Sequence, residues 1–173
     1  IYDFDPVAAA AAFNAGGFTA TGTSNPNYDP SVTWSSPKMR IDPTTGSNLA
    51  DLKVYIRIDD PPRLEAGKLL VQNLRLMGVP VKETIAERGT CFTYVMVYYD
   101  YNVYTGGWGL GPDLDFLFDL YHSQFDIYPT GYATNYPRYH SDDFDYWSSL
   151  VKYATTEAGA LTAALKAQEI MSR

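Results

Sequence analysis

With one cysteine in 173 residues, Cys91, the chain can form no internal disulfide, so cysteine usage leaves the redox compartment open. A free cysteine of this kind is usually a small buried apolar residue. Histidine is almost as scarce. His122 and His140 are not spaced like a metal pair, and a zinc or nickel site built from histidine is not expected. Basic residues are outnumbered, 13 against 20 acidic, giving a net charge of −7. That balance lacks the clustered Lys and Arg on which phosphate-backbone binding rests, so nucleic acid is not an expected partner. No apolar run approaches the ~20 residues of a membrane-spanning helix. Ile1 stands beside charged residues rather than before a basic start and an apolar stretch, so no signal peptide is read at the beginning. The patterns GxSxG, HExxH and GxxxxGK[ST] are missing too, which removes the commonest hydrolase, zinc-protease and P-loop chemistries. Nothing in the pattern calls for a cofactor or a metal, and no catalytic residue is assigned.

What is present is apolar and aromatic. Hydrophobic residues make up 46% of the chain, enough for one compact domain over 1–173, since a domain of about 150 residues hides roughly 70% of its unfolded surface. Fifteen tyrosines offer large apolar faces with polar tips, a composition suited to contact surfaces and wet clefts. Asp5-Pro6 is a cap and first-turn pair, Ala8 to Ala12 favours helix and Gly16-Gly17 ends it, predicting a helix over 5–15. Residues 19–48 read as a long loop. Residues 52–58 alternate as a strand. Pro61-Pro62 then opens a helical stretch carrying Leu64, Leu69, Leu70, Leu74 and Met77, and after Gly78 residues 79–85 give a second strand. Strand, helix, strand with short returns predicts parallel neighbours in one sheet. Residues 92–99, FTYVMVYY, favour strand by propensity. Residues 102–106 form a further strand in the same sheet, followed by helices over 113–122, 142–155 and 157–172. The predicted fold class is α/β, a mostly parallel sheet with packed helices and a helical carboxyl-terminal portion.

The stretch 101–116, YNVYTGGWGLGPDLDF, is the most informative. A strand that ends in glycines and one Trp places an aromatic face at the carboxyl edge of a parallel sheet, where ligands bind in open α/β folds. Trp108 is therefore either a stacking surface or a core residue. The glycines at 106, 107, 109 and 111 favour the former, because they clear side chains from around it. Asp113, Asp115 and Asp119 can be read as an acid pair or as calcium ligands, but three acids at a helix start usually cap it or face water. SDDFD at 141–145 reads as helix capping by Ser141 or Asp142.

The order of these segments resembles the extracellular solute-binding proteins of peptide and nickel ABC importers, family 5. YDFDPVAAAAAFNAGGF is similar to that family's YDP segment with its helix and glycine turn, and the stretch LKVYIRIDDPPRLEAGKLLVQNLRLMGVPV to its strand, helix and next strand. YNVYTGGW resembles the family's strand into a Gly-Trp, with Asn102 where Asp is usual. NYPRYHSDDFDYW keeps Asn135, Tyr139, Asp143, Phe144 and Asp145 in the places of a family motif, with Ser141 and Asp142 replacing its Asn and Pro. The resemblance implies one excised lobe, the later ligand-binding lobe of a type II periplasmic-binding-protein-like fold. It implies an extracytoplasmic protein that captures a small ligand, an oligopeptide or alternatively an oligosaccharide, and hands it to ABC importer membrane subunits. Its partners are then that ligand, the importer and the missing lobe, which closes over the site by a hinge. Trp108 is expected to wall the pocket and Gly106 and Gly107 to offer backbone hydrogen bonds. A polar contact is expected from Asp113 or Asn135, although Asn135 has an equally good structural reading. Peptide-binding relatives often carry a carboxylate three residues after this Trp, where this chain has Gly111. The rival reading is a secreted carbohydrate-active enzyme using acids among Asp113, Asp115 and Asp119, which one helix turn serves poorly.

Overall fold

The computed structural model describes residues 4–109, 111, 114–127 and 134–172. The chain divides into two compact units, each with its own core. The first holds the described part of Ile1–Phe92 with Asp100–Gly106, and the second Thr93–Tyr99 with the described part of Gly107–Arg173.

The first unit is built on a parallel three-stranded sheet of order β2-β1-β3, with β1 at Leu52–Arg57, β2 at Val81–Ala86 and β3 at Val103–Tyr104. The three segments expected to share a sheet do so. β1 is central, with Val54, Tyr55 and Ile56 all buried, as a strand covered on both faces requires. Asn102 opens β3 by pairing with Lys53: its N–H donates to the Lys53 carbonyl at 2.9 Å, and its side-chain oxygen accepts the Lys53 N–H at 2.8 Å. Helix α1, Pro6–Ala15, is capped by Asp5, whose carboxylate accepts the Ala8 N–H at 2.8 Å. Helix α2, Pro61–Leu76, is capped by Asp60 in the same way. Val71 of α2 joins Val54 and Ile56 in the core. At its end the Val79 N–H reaches the Leu74 carbonyl and the Gly78 N–H the Arg75 carbonyl, both at 3.0 Å, a Schellman closure that needs Gly78 at φ +81°. A side chain there is excluded twice over, since a Cβ would sit 2.3 Å from the Lys38 carbonyl oxygen. Arg75 ties α2 to β2 through Glu83 at 2.8 Å and the Val81 carbonyl at 3.1 Å.

The long segment 19–48 is a loop, as read, with isolated bridges Ser24–Lys38 and Ile41–Asn48. Two buried polar side chains hold it, and each donates to a carbonyl at the end of α2. Asn25 donates to the Ser36 and Arg75 carbonyls at 2.9 Å. Arg40, 2% exposed, donates to the Met77 carbonyl at 2.9 Å, the Phe18 carbonyl at 2.6 Å and the Asn14 side chain at 2.8 Å. The Phe13 ring lies under its guanidinium.

Residues 92–99 are not a strand. α3 runs over Arg88–Phe92 and a π-helical turn over Thr93–Val97, closed by the Tyr98 N–H on the Thr93 carbonyl at 3.0 Å. The β-branched and aromatic composition misleads because burial decides: Cys91, Val95 and Met96 are buried while Tyr94, Val97 and Tyr98 face water, a helical spacing that no alternating strand produces. Cys91 is wholly buried, its thiol directed at the Ala86 carbonyl at 3.5 Å, and burial pushes the thiol pKa up.

The second unit is helical. α4, Phe116–Tyr121, is shorter than the predicted 113–122. A 3₁₀ turn follows at Ser123–Phe125, then α5 at Asp142–Lys152 and α6 at Glu157–Met171. Of the two candidate caps of α5, Ser141 is the one used, its oxygen accepting the Phe144 N–H. The core gathers Leu117 of α4, Phe144 and Val151 of α5, and Ala163, Ala164 and Ala167 of α6, where small residues let the two long helices approach closely. Among the described residues no helix is long and apolar enough to cross a membrane.

Candidate functional site

In the first unit the carboxyl edge of the sheet is dressed by Arg57, Asp59, Tyr104 and Thr105. The Thr105 N–H donates to the Tyr55 carbonyl, and its hydroxyl accepts the Arg57 N–H, each at 3.0 Å. The Arg57 guanidinium is held by the Asp59 carboxylate, which raises the arginine pKa and lowers that of the aspartate. Burial pushes the Tyr104 phenol up, against the opposing pull of the nearby Arg57 charge. Gly106 follows this edge, and a Cβ there would come 2.3 Å from the Tyr104 ring. The glycine therefore leaves room for Tyr104 to lie over its own strand end. None of Arg57, Asp59 or Tyr104 was singled out from the sequence, because only the parallel pairing of β1 and β3 brings them to one edge.

Gly107 and Trp108 belong to the second unit. Trp108 is 42% exposed, so a substantial part of the indole can be reached from water. It stacks on Tyr136, ring centroids 5.9 Å apart and planes 29° from parallel. Among the described residues a Cβ at Gly109 or Gly111 would meet nothing within 4 Å, so the space beside these two glycines is open. Asp113 lies outside the described residues. Tyr136 was not singled out from the sequence, one tyrosine among fifteen with only its neighbour Asn135 in a motif.

Asn135 is 0% exposed and its side chain is fully engaged inside the protein. Its amide donates to the carbonyls of Tyr139 at 2.8 Å, Tyr121 at 3.2 Å and His122 at 3.4 Å, while its oxygen accepts the Tyr139 N–H at 3.0 Å. Of its two readings, polar ligand contact or internal strut, this geometry describes the strut. Asp145, in the same motif, accepts the Ser123 N–H at 3.0 Å and the Ser123 hydroxyl, fixing the 3₁₀ turn.

The remaining candidates form a separate cluster. Lys152 places its ammonium 2.8 Å from Asp115 and 3.1 Å from Asp119, and these two carboxylates, in that order, raise its pKa. Both acids thus share one cation. His140 contacts Asp126 at 2.8 Å, and the His122 ring nitrogen accepts the Gln124 N–H at 3.2 Å. Among the described residues no group of three or more His, Cys, Asp or Glu is placed to hold a metal ion.

No family model and no curated protein matches the sequence. Solved structures do match. NikZ of Campylobacter jejuni, in complex with Ni(L-His), is similar over 96% of this chain at 18% identity and a TM-score of 0.74. The oligopeptide-binding protein AppA of Bacillus subtilis, in complex with a nonapeptide, is similar over 97% at 16% identity and a TM-score of 0.72. A periplasmic oligopeptide-binding protein of an oligopeptide ABC transporter from Thermotoga maritima, with bound mannohexaose, is similar over 98% at 13% identity and a TM-score of 0.74. The fold is that of one part of these periplasmic-binding-protein structures. This chain spans about 30% of the length of each of those neighbours. The resemblance read from the sequence is borne out at the level of the fold, and the neighbours are binding proteins rather than enzymes.

Proposed function

We propose that this chain supplies one lobe of an extracytoplasmic binding protein that captures a small solute, in the first place an oligopeptide, and delivers it to the membrane subunits of an ABC importer. The observation that carries the reading is the stacked Trp108–Tyr136 pair, reachable from water and followed by open chain at Gly109 and Gly111, in a chain with a solute-binding fold. A stacking residue contributes by leaving water when the ligand arrives, so it has to be accessible beforehand. Trp108 is the wall in this reading, and backbone groups at Gly107 hydrogen-bond the ligand. Asp113 supplies a polar contact, and Asn135 serves as a strut. The reading is not enzymatic: Asp115 and Asp119 are engaged by Lys152, and no nucleophile with a neighbouring base is legible.

An oligosaccharide is the second reading. It is favoured by Gly111, which leaves no carboxylate three residues after Trp108 to hold a ligand amine, and by the flat apolar face that two stacked rings offer a sugar. Native mass spectrometry of the full-length protein purified from its own host tests both. A retained peptide or sugar mass at one per protein is the expected result. No retained solute, together with hydrolase turnover abolished by Asp115→Asn, would replace the binding reading with the enzymatic one.

A further inference from the structure

Tyr136 enters the site by way of a turn that is fastened more tightly than an exposed loop needs. The turn starts at Asn135, whose carbonyl accepts the Arg138 N–H at 3.0 Å. The Asn135 side chain closes the same turn from within, on both the N–H and the carbonyl of Tyr139. Its remaining contacts are the carbonyls of Tyr121 and His122, at the end of α4. A second brace lies further along: the Asp126 carboxylate, 4% exposed, accepts from Arg138 Nε at 3.1 Å and pairs with the His140 ring at 2.8 Å. Between the two braces Arg138 has φ +57°, a left-handed conformation that a non-glycine residue keeps only when its surroundings over-determine it. Such strain gathers where a binding or catalytic group has to be held in one place.

This turn delivers the Tyr136 side chain against Trp108. We infer that Tyr136 is the second ring of the ligand wall, and that Asn135 is a positioning residue which sets the Trp108–Tyr136 stack by locking the turn to the end of α4. The inference rests on the solute-binding reading of Trp108 and goes beyond it by assigning roles to two residues. The physical logic is preorganisation. A ring held in place before the ligand arrives loses little conformational freedom on binding, whereas a free tyrosine has to be ordered at a cost that comes out of affinity. A buried asparagine suits the task because it presents two donors and an acceptor at once, and Tyr139 uses both kinds.

The test is 19F NMR of the full-length protein carrying 5-fluorotryptophan, with the Trp108 resonance assigned from Trp108→Phe. Tyr136→Leu should move the Trp108 resonance and Tyr136→Phe should restore it, with Trp34 and Trp147 unmoved in both. Asn135→Asp keeps the acceptor but removes both amide donors, and should move the Trp108 resonance in the direction Tyr136→Leu does. Titration with a nonapeptide and with mannohexaose then reads binding through the same signal. Tyr136→Leu should weaken the binding probe about tenfold and Tyr136→Phe leave it nearly unchanged. A Trp108 resonance indifferent to Tyr136→Leu or Asn135→Asp overturns the inference. So does unchanged affinity in Tyr136→Leu when Trp108→Ala weakens binding, a result that leaves the Trp108 wall standing. If Trp108→Ala also leaves affinity unchanged, or neither probe moves Trp108, the proposed site fails and this inference fails with it.

Discussion

Arg40→Met replaces a buried cation by an apolar side chain of similar length, and its cost can be worked from the acceptors left behind. Among the described residues the guanidinium is held by neutral oxygens, the carbonyls of Met77, Phe18 and Ala10 and the side chain of Asn14. Burial lowers the Arg40 pKa, a sign that the charge carries a desolvation cost, and methionine returns that cost. What remains is the loss of donors. Asn14 is exposed and can turn to water, and the Ala10 contact is long at 3.4 Å. The Met77 carbonyl, on a buried residue, and the Phe18 carbonyl, on a half-buried one, are stranded. A buried carbonyl without a donor costs about 1–3 kcal/mol, so two of them amount to about 3 kcal/mol. That is a large share of the roughly 5–15 kcal/mol by which domains are stable. Hydrogen exchange read by mass spectrometry resolves where the loss falls. Peptides from 6–18 and 61–78 should exchange about a hundredfold faster, while peptides from 142–171 in the other unit are unchanged. A loss below about 1 kcal/mol, or one spread evenly over both units, would refute the reasoning that the loop depends on this cation.

Trp108→Ala in the full-length protein should weaken ligand binding by more than about 2 kcal/mol in a calorimetric titration and lower unfolding stability by less; the reverse order would mark Trp108 as core. Gly78→Ala should cost about 2–3 kcal/mol in chemical denaturation, combining a left-handed backbone with a Cβ driven onto the Lys38 carbonyl, and a midpoint within error of the parent would contradict the tight turn. Asp115 and Asp119 raise the Lys152 pKa, so the stability this cluster contributes is fully present below the unfolded value near ~10.4 and is lost as pH rises through the higher folded value. The stability difference between the parent and Lys152→Met should therefore shrink at strongly alkaline pH and stay level at neutral pH, which urea titrations at several pH values would show or deny.

Features with a local cause were legible in the sequence. Asp5-Pro6 caps α1 because capping joins residues three apart, Pro61-Pro62 opens α2, and Gly78 ends α2 because a left-handed residue is needed one step after the helix. The alternation of Leu52–Arg57 and the spacing through Leu76 carried the parallel strand, helix, strand unit for the same reason. Trp108 was legible as a candidate wall because glycines surround it in the chain itself.

The tertiary structure decided what depends on partners distant in sequence. Residues 93–97 have strand-forming side chains, yet coil into a π turn because burial of Cys91, Val95 and Met96 outweighs propensity. Arg40 reads as one more loop cation until Met77, 37 residues away, is brought to it. Asn135 and Tyr136 acquire their roles from the end of α4 and from an indole 28 residues earlier, and one side chain's polarity cannot announce which buried carbonyls will surround it. The sequence by itself determined the start of α1, the end of α2 at Gly78, the β1-α2-β2 pattern and the aromatic candidate, since these follow from bonds within a few residues. Only the folded chain decided which polar atoms are spent internally, because desolvation and hydrogen-bond supply are properties of a place in the fold.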